Sequence, residues 1–464
     1  MPIRSITSAR TPLILLALTE ALILYLSVYF ACGIAFGDIQ HFEESVGPIA
    51  PKAAAMSSVM LMSLIATGLY QFHQRAYFHE VMIRIIVGAA IGSIALAAGY
   101  YFFPRIILEP SIAALSIMSA FTLLLLLRYL FDRHVDENIF RRRTLVFGAG
   151  ERSEAITDLK RSADRRGFKI IGNLPAPGDT LNGNRGDLLG TGKSISEIAV
   201  EKEADEIVIA LDDRRGNLPI RELLDCKLRG VDVIDLLEFL ERETGKIEVD
   251  LVSPGWLTFS PGFRRTRLRR LLKRSFDIIV GTMTLFFAWP MMLFICVAIK
   301  IEDGSSSTII YRQRRVGSGG KVFNVLKFRS MSRDAEADGK AVWARKDDPR
   351  VTKVGTILRK FRLDELPQIF NVLSGQMSLV GPRPERPEFV ASLAEEIRYY
   401  SERHTVKPGV TGWAQLKYSY GASRDDAIEK LRYDLFYVKN HSLLMDLVIL
   451  LQTVEVILWR KGAR

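Results

Sequence analysis

Cysteine is scarce in this chain: Cys32, Cys226 and Cys296 are the only three in 464 residues. Two of them fall in apolar segments and no CxxC spacing occurs, which excludes a disulfide framework and a cysteine-rich zinc site. The six histidines include no HxxxH pair, so a two-histidine metal site on one helix face is excluded as well. Internal repeats and low-complexity tracts are lacking. No small-residue cleavage site follows the first apolar run, so that run is expected to stay as a membrane span. Acidic residues are outnumbered, 52 against 63 lysines and arginines, for a formal net charge of +11. That sign favours nucleic acid, anionic lipid or phosphorylated substrates. No nucleic-acid partner is expected, because the basic residues cluster beside apolar segments.

Apolar sequence is plentiful. Hydrophobic residues make up 48% of a chain that is also 25% charged, a mixture that predicts membrane spans joined to soluble parts. Four apolar segments fill residues 1–140, at about Leu13–Phe36, Ala53–Phe72, Val81–Phe103 and Ile112–Leu130. Each is about 20 residues or slightly longer, enough to cross a bilayer as a helix. They predict a four-helix transmembrane bundle, with Arg84 near one end of the third span, placed to snorkel. Arg4, Arg10, Arg75, Arg128, Arg133 and Arg141–Arg143 lie on one side of it. The other side carries Asp38, Glu43, Glu44, Lys52, Arg105 and Glu109. The positive-inside rule then puts both ends of the bundle in the cytoplasm.

Residues 141–252 read as a soluble, Rossmann-like α/β domain. TLVFGAG (Thr144–Gly150) has the form of a buried strand ending in a glycine turn, and FKIIGNL, DEIVIAL and VDVIDL follow as strands. Gly148 and Gly150 suggest a dinucleotide fingerprint. Its third glycine position is Ser153, and no acidic residue closes the second strand. A structural, oligomerising or regulatory module is the preferred reading. The alternative is a membrane-anchored nucleotide-sugar dehydratase or dehydrogenase, but residues 143–250 hold no Tyr-x-x-x-Lys pair.

A basic linker spans 253–272, and the last region, 273–464, opens on an apolar stretch at 275–300. Both flanks of that stretch are strongly basic, with Arg267, Arg269, Arg270, Lys273 and Arg274 before it and Lys300, Arg312, Arg314 and Arg315 after it. Both therefore favour the cytoplasmic side. Pro290 near its midpoint removes a backbone hydrogen bond. A re-entrant membrane helix, broken at Pro290, satisfies both facts. Leu443–Trp459 is apolar but interrupted by Asp446, Gln452 and Glu455, which predicts an interfacial amphipathic helix ending at Trp459 and Arg460 rather than a span.

The densest chemistry lies in RKFRLDELPQIFNVLSGQMSLVGPRP (Arg359–Pro384). Adjacent carboxylates, Asp364 and Glu365, stand among Arg359, Arg362 and Arg383. Alone, such an acidic pair more often caps a helix. Three arginines and the rigid turn Gly381-Pro382-Arg383-Pro384 favour phosphate chemistry, in which one carboxylate attacks or holds a metal while cations neutralise oxygens. Leu363, Leu366, Phe370 and Leu373 recur at helical spacing, predicting a helix over Asp364–Leu373 with Pro367 in its first turn and both carboxylates at its start. Arg359 and Arg383 are the preferred phosphate contacts, with Lys327 and Arg329 as further candidates. His404 beside Lys407 and Gly409 invites a general-base role, although a structural hydrogen bond is the preferred reading.

At these residues the chain resembles a known family. From Lys273 onward it is similar to the catalytic domain of the monotopic phosphoglycosyl transferases, the bacterial sugar transferase family. The motifs KRSFDIIVG, YRQRRVG, FNVLKFRSM, DPRVTKVG, LDELPQIFNVLSGQMSLVGPRP and HTVKPGVTGWAQL carry the resemblance in that order. The preceding spans and α/β domain resemble the large members that begin exopolysaccharide, capsule or O-antigen synthesis. FLERETGKIEVDLVSPGWLTFSPGF resembles the subgroup associated with PEP-CTERM and exosortase systems. The resemblance implies an enzyme of the inner membrane, its soluble and catalytic domains facing the cytoplasm. It would transfer a sugar-1-phosphate from a UDP-sugar to polyprenyl (undecaprenyl) phosphate and release UMP. Asp364 would be the nucleophile and Glu365 the ligand of Mg²⁺. The re-entrant helix would break at Pro290, where Trp289 replaces the usual serine. Membrane lipids and a possible homodimer are the remaining partners it implies.

Overall fold

The computed structural model describes residues 11–37, 43–44, 47–67, 69–70, 78–104, 107–134, 141–159, 161–165, 167–176, 179, 192–212, 218–260, 262–263, 266–304, 307–332, 350–418, 421 and 423–459. Arg4, Arg10, Arg75 and Arg105, which bear on orientation, lie outside the described residues, as do Asp38, Asp348 and Arg460. The chain divides into two compact units, Met1–Thr244 and Gly245–Arg464.

The first unit opens with α1 (Thr11–Phe36), α2 (Ile49–Ala66), α3 (Phe78–Phe102) and α4 (Pro110–His134), where the four spans are expected. Each contains a stretch long and apolar enough to cross a membrane. Val28, Met56, Met60, Ile85, Ile112 and Leu124 meet in their common core, while Leu18, Ile94 and Met118 point outward. Exposed leucine and methionine suit a lipid-facing surface, because hydrocarbon solvates them.

Two arginines depart from the expected picture. Arg128 does not sit in a cytoplasmic loop. It is buried inside α4 and grips the fully buried Glu20 of α1, with Nη2 3.0 Å from Oε2. The Tyr70 hydroxyl donates to the same carboxylate, and the Arg128 guanidinium lies over the Tyr70 ring at 5.0 Å. Arg84 does not snorkel. It is buried, and its Nη1 donates to the Thr67 carbonyl at 3.1 Å. That carbonyl belongs to the C-cap of α2, where an orphan acceptor needs a donor because lipid supplies none.

A four-stranded parallel sheet follows, from β1 (Arg142–Phe147), β2 (Phe168–Leu174), β3 (Glu206–Ile209) and β4 (Asp232–Asp235), in the spatial order β2-β1-β3-β4. Helices α5 (Glu151–Thr157), α6 (Ile195–Glu201), α7 (Ile220–Leu228) and α8 (Leu236–Thr244) connect or follow the strands. Leu145, Phe147 and Ile207 form its core with Ile198 and Leu223. The order places the loop after β1 at a switch point of the sheet, where doubly wound folds bind ligands.

The second unit begins with α9 (Pro254–Phe259) and α10 (Arg267–Asp303). Where the break at Pro290 is expected, α10 is helical throughout its 37 residues with Pro290 inside it. Proline removes a single backbone donor from the ladder, so the turns on either side remain helical. Leu285 joins two packing zones. Before it, Phe276 and Val280 pack on Ile369 and Val372. After it, Met292, Ile295 and Ile299 pack on Phe328 and Leu358. Phe286, Phe287, Trp289, Leu293 and Phe294 face outward, each more than half exposed.

An antiparallel hairpin, β5 (Ile310–Val316) and β6 (Val322–Phe328), comes next. The helices α11 (Lys353–Lys360) and α12 (Gln368–Leu373) then lead into β7 (Ser378–Val380), and α13 (Pro387–Glu396) precedes β8 (Gly409–Thr411). β7 and β8 pair in parallel. Three helices finish the chain: α14 (Trp413–Lys417), α15 (Arg424–Asn440) and α16 (Leu443–Trp459).

The basic run in the first turns of α10 is not wholly a membrane-facing patch. Lys273 Nζ pairs with Asp446 at 2.7 Å and donates to the Val380 carbonyl at 3.1 Å. Arg274 donates to the Val372 and Leu373 carbonyls at 2.7 and 2.6 Å, capping the last turn of α12. The C-terminal helix is likewise more than an interfacial one. Asp446 is fully buried and also accepts from the Tyr437 hydroxyl at 2.8 Å. Leu444, two positions before it, is strongly exposed, and Leu447 and Val454 are exposed to a lesser degree.

Removing one partner of a buried ion pair leaves a stranded charge. Glu20→Ala is therefore expected to cost about 3–5 kcal/mol of bundle stability. Glu20→Ala/Arg128→Met is expected to recover most of that loss. Thermal denaturation of the detergent-solubilised variants checks both.

Candidate active site

Asp364 and Glu365 do not open a long helix as expected. They sit in a separate 3₁₀ turn, Leu363–Glu365, and Pro367 is the N-cap of α12, which begins at Gln368. The expected helix fails because Pro367 has no N–H with which to continue the ladder. Arg362 enters the turn with φ 55° and ψ 23°, a left-handed conformation that costs a non-glycine residue about 1–2 kcal/mol. Surrounding contacts must hold that strain, and strain of this kind collects at functional sites.

Those contacts converge on Glu365. Its Oε1 accepts from Lys327 Nζ at 2.9 Å and from Arg383 Nη2 at 3.0 Å. The two cations come from different places, one from β6 and the other from the loop after β7. Although burial opposes ionisation, their charges hold the Glu365 carboxyl far below the usual carboxylate range. Asp364 is almost fully buried. Burial pushes its pKa up, and the neighbouring Glu365 charge adds to the rise while Lys327, Arg359 and Arg383 oppose it. Two adjacent carboxylates thus have opposite shifts, one a fixed anion and the other a base whose charge is only partly stabilised.

The glycine–proline loop is rigid for a specific reason. Gly381, Gly409 and Gly412 bring backbones together more closely than a side chain permits. A Cβ on Gly409 would stand 2.1 Å from Gly381 N, and one on Gly412 2.2 Å from Gly381 O. Gly381 N donates to Thr411 O and Gly409 N to Pro382 O, each at 2.9 Å. Beneath the loop, buried Arg403 donates to the Arg383 carbonyl at 3.0 Å, to Asp434 at 2.7 Å and to the Tyr400 hydroxyl at 2.7 Å. Arg403 therefore acts through Arg383 as a positioning residue. Sequence reading missed it, because its partner Asp434 lies far along the chain.

Of the four cations singled out from sequence, three gather at the carboxylates. Lys327 and Arg383 bind Glu365, and Arg359, donating to Ser330 Oγ at 3.1 Å, acts on Asp364 through its charge. Arg329 instead donates to the Thr308 hydroxyl and lines a neighbouring cavity. His404 is edge-on to the Tyr400 ring at 6.1 Å. Burial and the adjacent Arg403 push its pKa down to about 4, leaving it neutral near pH 7. Trp413 is structural: its Nε1 donates to Gly245 O at 2.7 Å and its ring stacks on Phe436.

The glycine turn of the α/β domain is filled by its own chain. Asp212 accepts from the Glu151 and Arg152 N–H groups at 3.0 and 2.8 Å. Asp179 accepts from the Ala149 and Ala176 N–H groups at 2.7 and 2.8 Å. A dinucleotide pyrophosphate would need those N–H groups. This internal occupancy opposes the dehydratase or dehydrogenase alternative.

Comparisons with known proteins agree with the geometry. The family described as bacterial sugar transferase matches residues 268–460. An uncharacterized sugar transferase of Haemophilus influenzae is 30% identical over 414 residues, covering 85% of each chain. The chain belongs to the bacterial sugar transferase family. The UDP-glucose:undecaprenyl-phosphate glucose-1-phosphate transferase of Escherichia coli strain K12 is 34% identical over 323 residues, 68% of this chain and 67% of that one. The UDP-N-acetylgalactosamine-undecaprenyl-phosphate N-acetylgalactosaminephosphotransferase of Aeromonas hydrophila is 40% identical over 256 residues, 54% of this chain and 58% of that relative. In this family member, then, the run 363–384 is one physical assembly of turn, cations and loop.

A methyl group at Gly409 must push the Arg383 loop away from its place. Gly409→Ala is expected to lower turnover by about 100-fold or more, the usual effect of an ångström-scale misplacement. A turnover assay against a thermal-melt control checks it.

Proposed function

We propose that this chain transfers a sugar-1-phosphate from a UDP-sugar to undecaprenyl phosphate or a related polyprenyl phosphate and releases UMP. The observation that carries this reading is the pair of adjacent carboxylates at one turn, with Asp364 buried, Lys327 and Arg383 bonded to Glu365, and Arg359 acting on Asp364 through its charge.

An Asp364 oxygen attacks the β-phosphorus of the donor. The bond from that phosphorus to the bridging oxygen breaks, and UMP leaves with the electron pair. The sugar phosphate is then an acyl phosphate on Asp364. A phosphate oxygen of the lipid attacks the same phosphorus, the bond to Asp364 breaks, and the carboxylate returns. The product is a polyprenyl diphosphate-sugar. Covalent catalysis lets a water-soluble donor and a lipid acceptor use one site in turn. Arg359, Lys327 and Arg383 reduce the repulsion between an anionic nucleophile and anionic phosphates. Glu365 pins the lysine and the second arginine on either side of the turn.

Mg²⁺ fits this donor set. Asp364 and Glu365 are adjacent hard oxygen donors, and Mg²⁺ is commonly held by one or two carboxylates plus substrate phosphates. Among the described residues no cluster of three His, Cys, Asp or Glu side chains offers a metal cage, so a metal here would share its coordination with substrate. When bound, the ion neutralises diphosphate charge; Glu365 is the side chain assigned to hold it.

The membrane placement follows from α10. Its two arms pack on one globular unit, through Ile369 and Val372 before Leu285 and through Phe328 and Leu358 after it. Both flanks are basic, and the outward face at Phe286–Phe294 is apolar. A helix that enters one leaflet and returns meets all three conditions, with Pro290 as the weak point for bending. The site then lies at headgroup level on the cytoplasmic side of the inner membrane. In this reading the reaction is the first membrane step of exopolysaccharide, capsule or O-antigen assembly.

The assay is UMP release from a panel of UDP-sugars with Mg²⁺ and undecaprenyl phosphate. Asp364→Asn is expected to reduce it to background; release that survives this change contradicts the nucleophile assignment. The pH profile supplies a second check. Asp364 must be ionised to attack, so activity falls as pH drops through its raised pKa. Removing a nearby cation raises that pKa further. Arg383→Gln is therefore expected to move the acid limb to higher pH and to lower the plateau.

A further inference from the structure

Beyond the dyad, the second unit holds an open cavity of about 580 Å³, lined by Lys300, Ser307–Arg312 and Arg329. It lies where α10 ends and β5 begins. Three of its lining residues are cations and none is a carboxylate. Ser307 and Thr308 add hydroxyls, and Lys300 Nζ donates to the Ser307 carbonyl at 2.7 Å, which fixes the ammonium at the rim. The nearby Glu302 carboxylate is turned away, accepting from the Lys353 and Val354 N–H groups at 2.7 and 2.9 Å. The remaining wall, Ile309, Ile310 and Tyr311, is apolar or amphipathic. Outside it, Val297 is 50% exposed and Ile301 80% exposed, on the side of α10 that continues the lipid-facing surface.

A free anion needs cations and hydroxyls but gains nothing from an apolar border. A soluble apolar ligand would waste three cations. The combination suits an amphiphile whose phosphate meets Lys300, Arg312 and Arg329 while its chain lies along Val297 and Ile301. We propose that this cavity is a binding site for the phosphate headgroup of a membrane amphiphile. The headgroup chemistry is shared by an anionic phospholipid of the bilayer and by a polyprenyl phosphate on its way to Asp364. The inference rests on the membrane placement given above for its depth, and on the cavity itself for its chemistry.

The test uses the full chain purified in neutral detergent. Phosphatidylglycerol, undecaprenyl phosphate and inorganic phosphate are each titrated in turn, and retained ligand is read by native mass spectrometry. The wild type is expected to retain one or both amphiphiles, and the tighter one names the source. Lys300→Gln/Arg312→Gln is expected to lose affinity by at least about tenfold, as removal of two cations from a headgroup site requires. Arg312→Gln alone, on an exposed strand position, is expected to show part of the loss if the double variant does not fold. Equal retention by wild type and variants overturns the proposal. Inorganic phosphate bound as tightly as the amphiphiles overturns it too, because the cavity would then be a plain anion site. UMP release from the UDP-sugar panel with Mg²⁺ and undecaprenyl phosphate is measured on the same wild-type preparation. Its failure beside intact amphiphile binding would contradict the transferase reading and leave the headgroup site standing.

Discussion

The carboxylate of Glu365 is the point on which the catalytic unit depends. One oxygen receives Lys327 from the hairpin and Arg383 from the glycine–proline loop. Three chain segments that also share an apolar core are thereby tied at a single anion. Taking a carboxylate out of water is costly, and only close cations offset that cost. With both cations present Glu365 is a stable anion, and loss of either leaves its charge less well compensated. Asp364, its neighbour in sequence, gets the reverse treatment. It is buried, and Lys327, Arg359 and Arg383 act on it through their charges. A single turn thus holds one carboxylate for structure and one for reaction.

Support for this turn is layered. Arg403 and Asp434 hold the Arg383 loop from beneath, and the glycine contacts at 381, 409 and 412 leave it no room to relax. Asp277 accepts from Ser378 Oγ and Leu379 N at 2.9 and 3.1 Å, so the membrane helix itself anchors β7, the strand that leads into that loop. Lys273 and Asp446 add a second tie between that helix, β7 and the C-terminal helix. The apolar helix thus fixes the site's framework. This coupling explains why polar residues occur on an otherwise hydrophobic element.

Much of this was legible in the sequence, and the misses share a cause. The four spans and the parallel strands declared themselves through hydrophobic runs, which record burial directly. The dyad and its arginines stood out because they are close in sequence. Residues paired over long separations did not. Arg128 read as a loop charge because Glu20, more than a hundred positions away, carries no local mark of being its partner. Arg403, Asp434 and Asp446 were invisible as a network for the same reason. Local rules also misjudged Pro367. Proline removes one hydrogen bond both there and at Pro290, but only at Pro367 does the helix stop, where the chain also needs a strained Arg362 just upstream. The glycine turn after β1 matched a nucleotide-binding pattern, and only the structure shows Asp212 and Asp179 already seated on its N–H groups.

The central claim is that Asp364 carries the sugar phosphate between two substrates that need never be present together. Intact-protein mass spectrometry after incubation with the preferred UDP-sugar and Mg²⁺, with no lipid acceptor, tests it most directly. The account predicts a mass increase of one sugar phosphate, mapped to the peptide containing Asp364 and discharged when polyprenyl phosphate is added. Turnover that proceeds normally with both substrates, but with no adduct trapped at any time and UMP formed only when the lipid is present, would contradict it. That result would mean direct transfer between substrates held side by side.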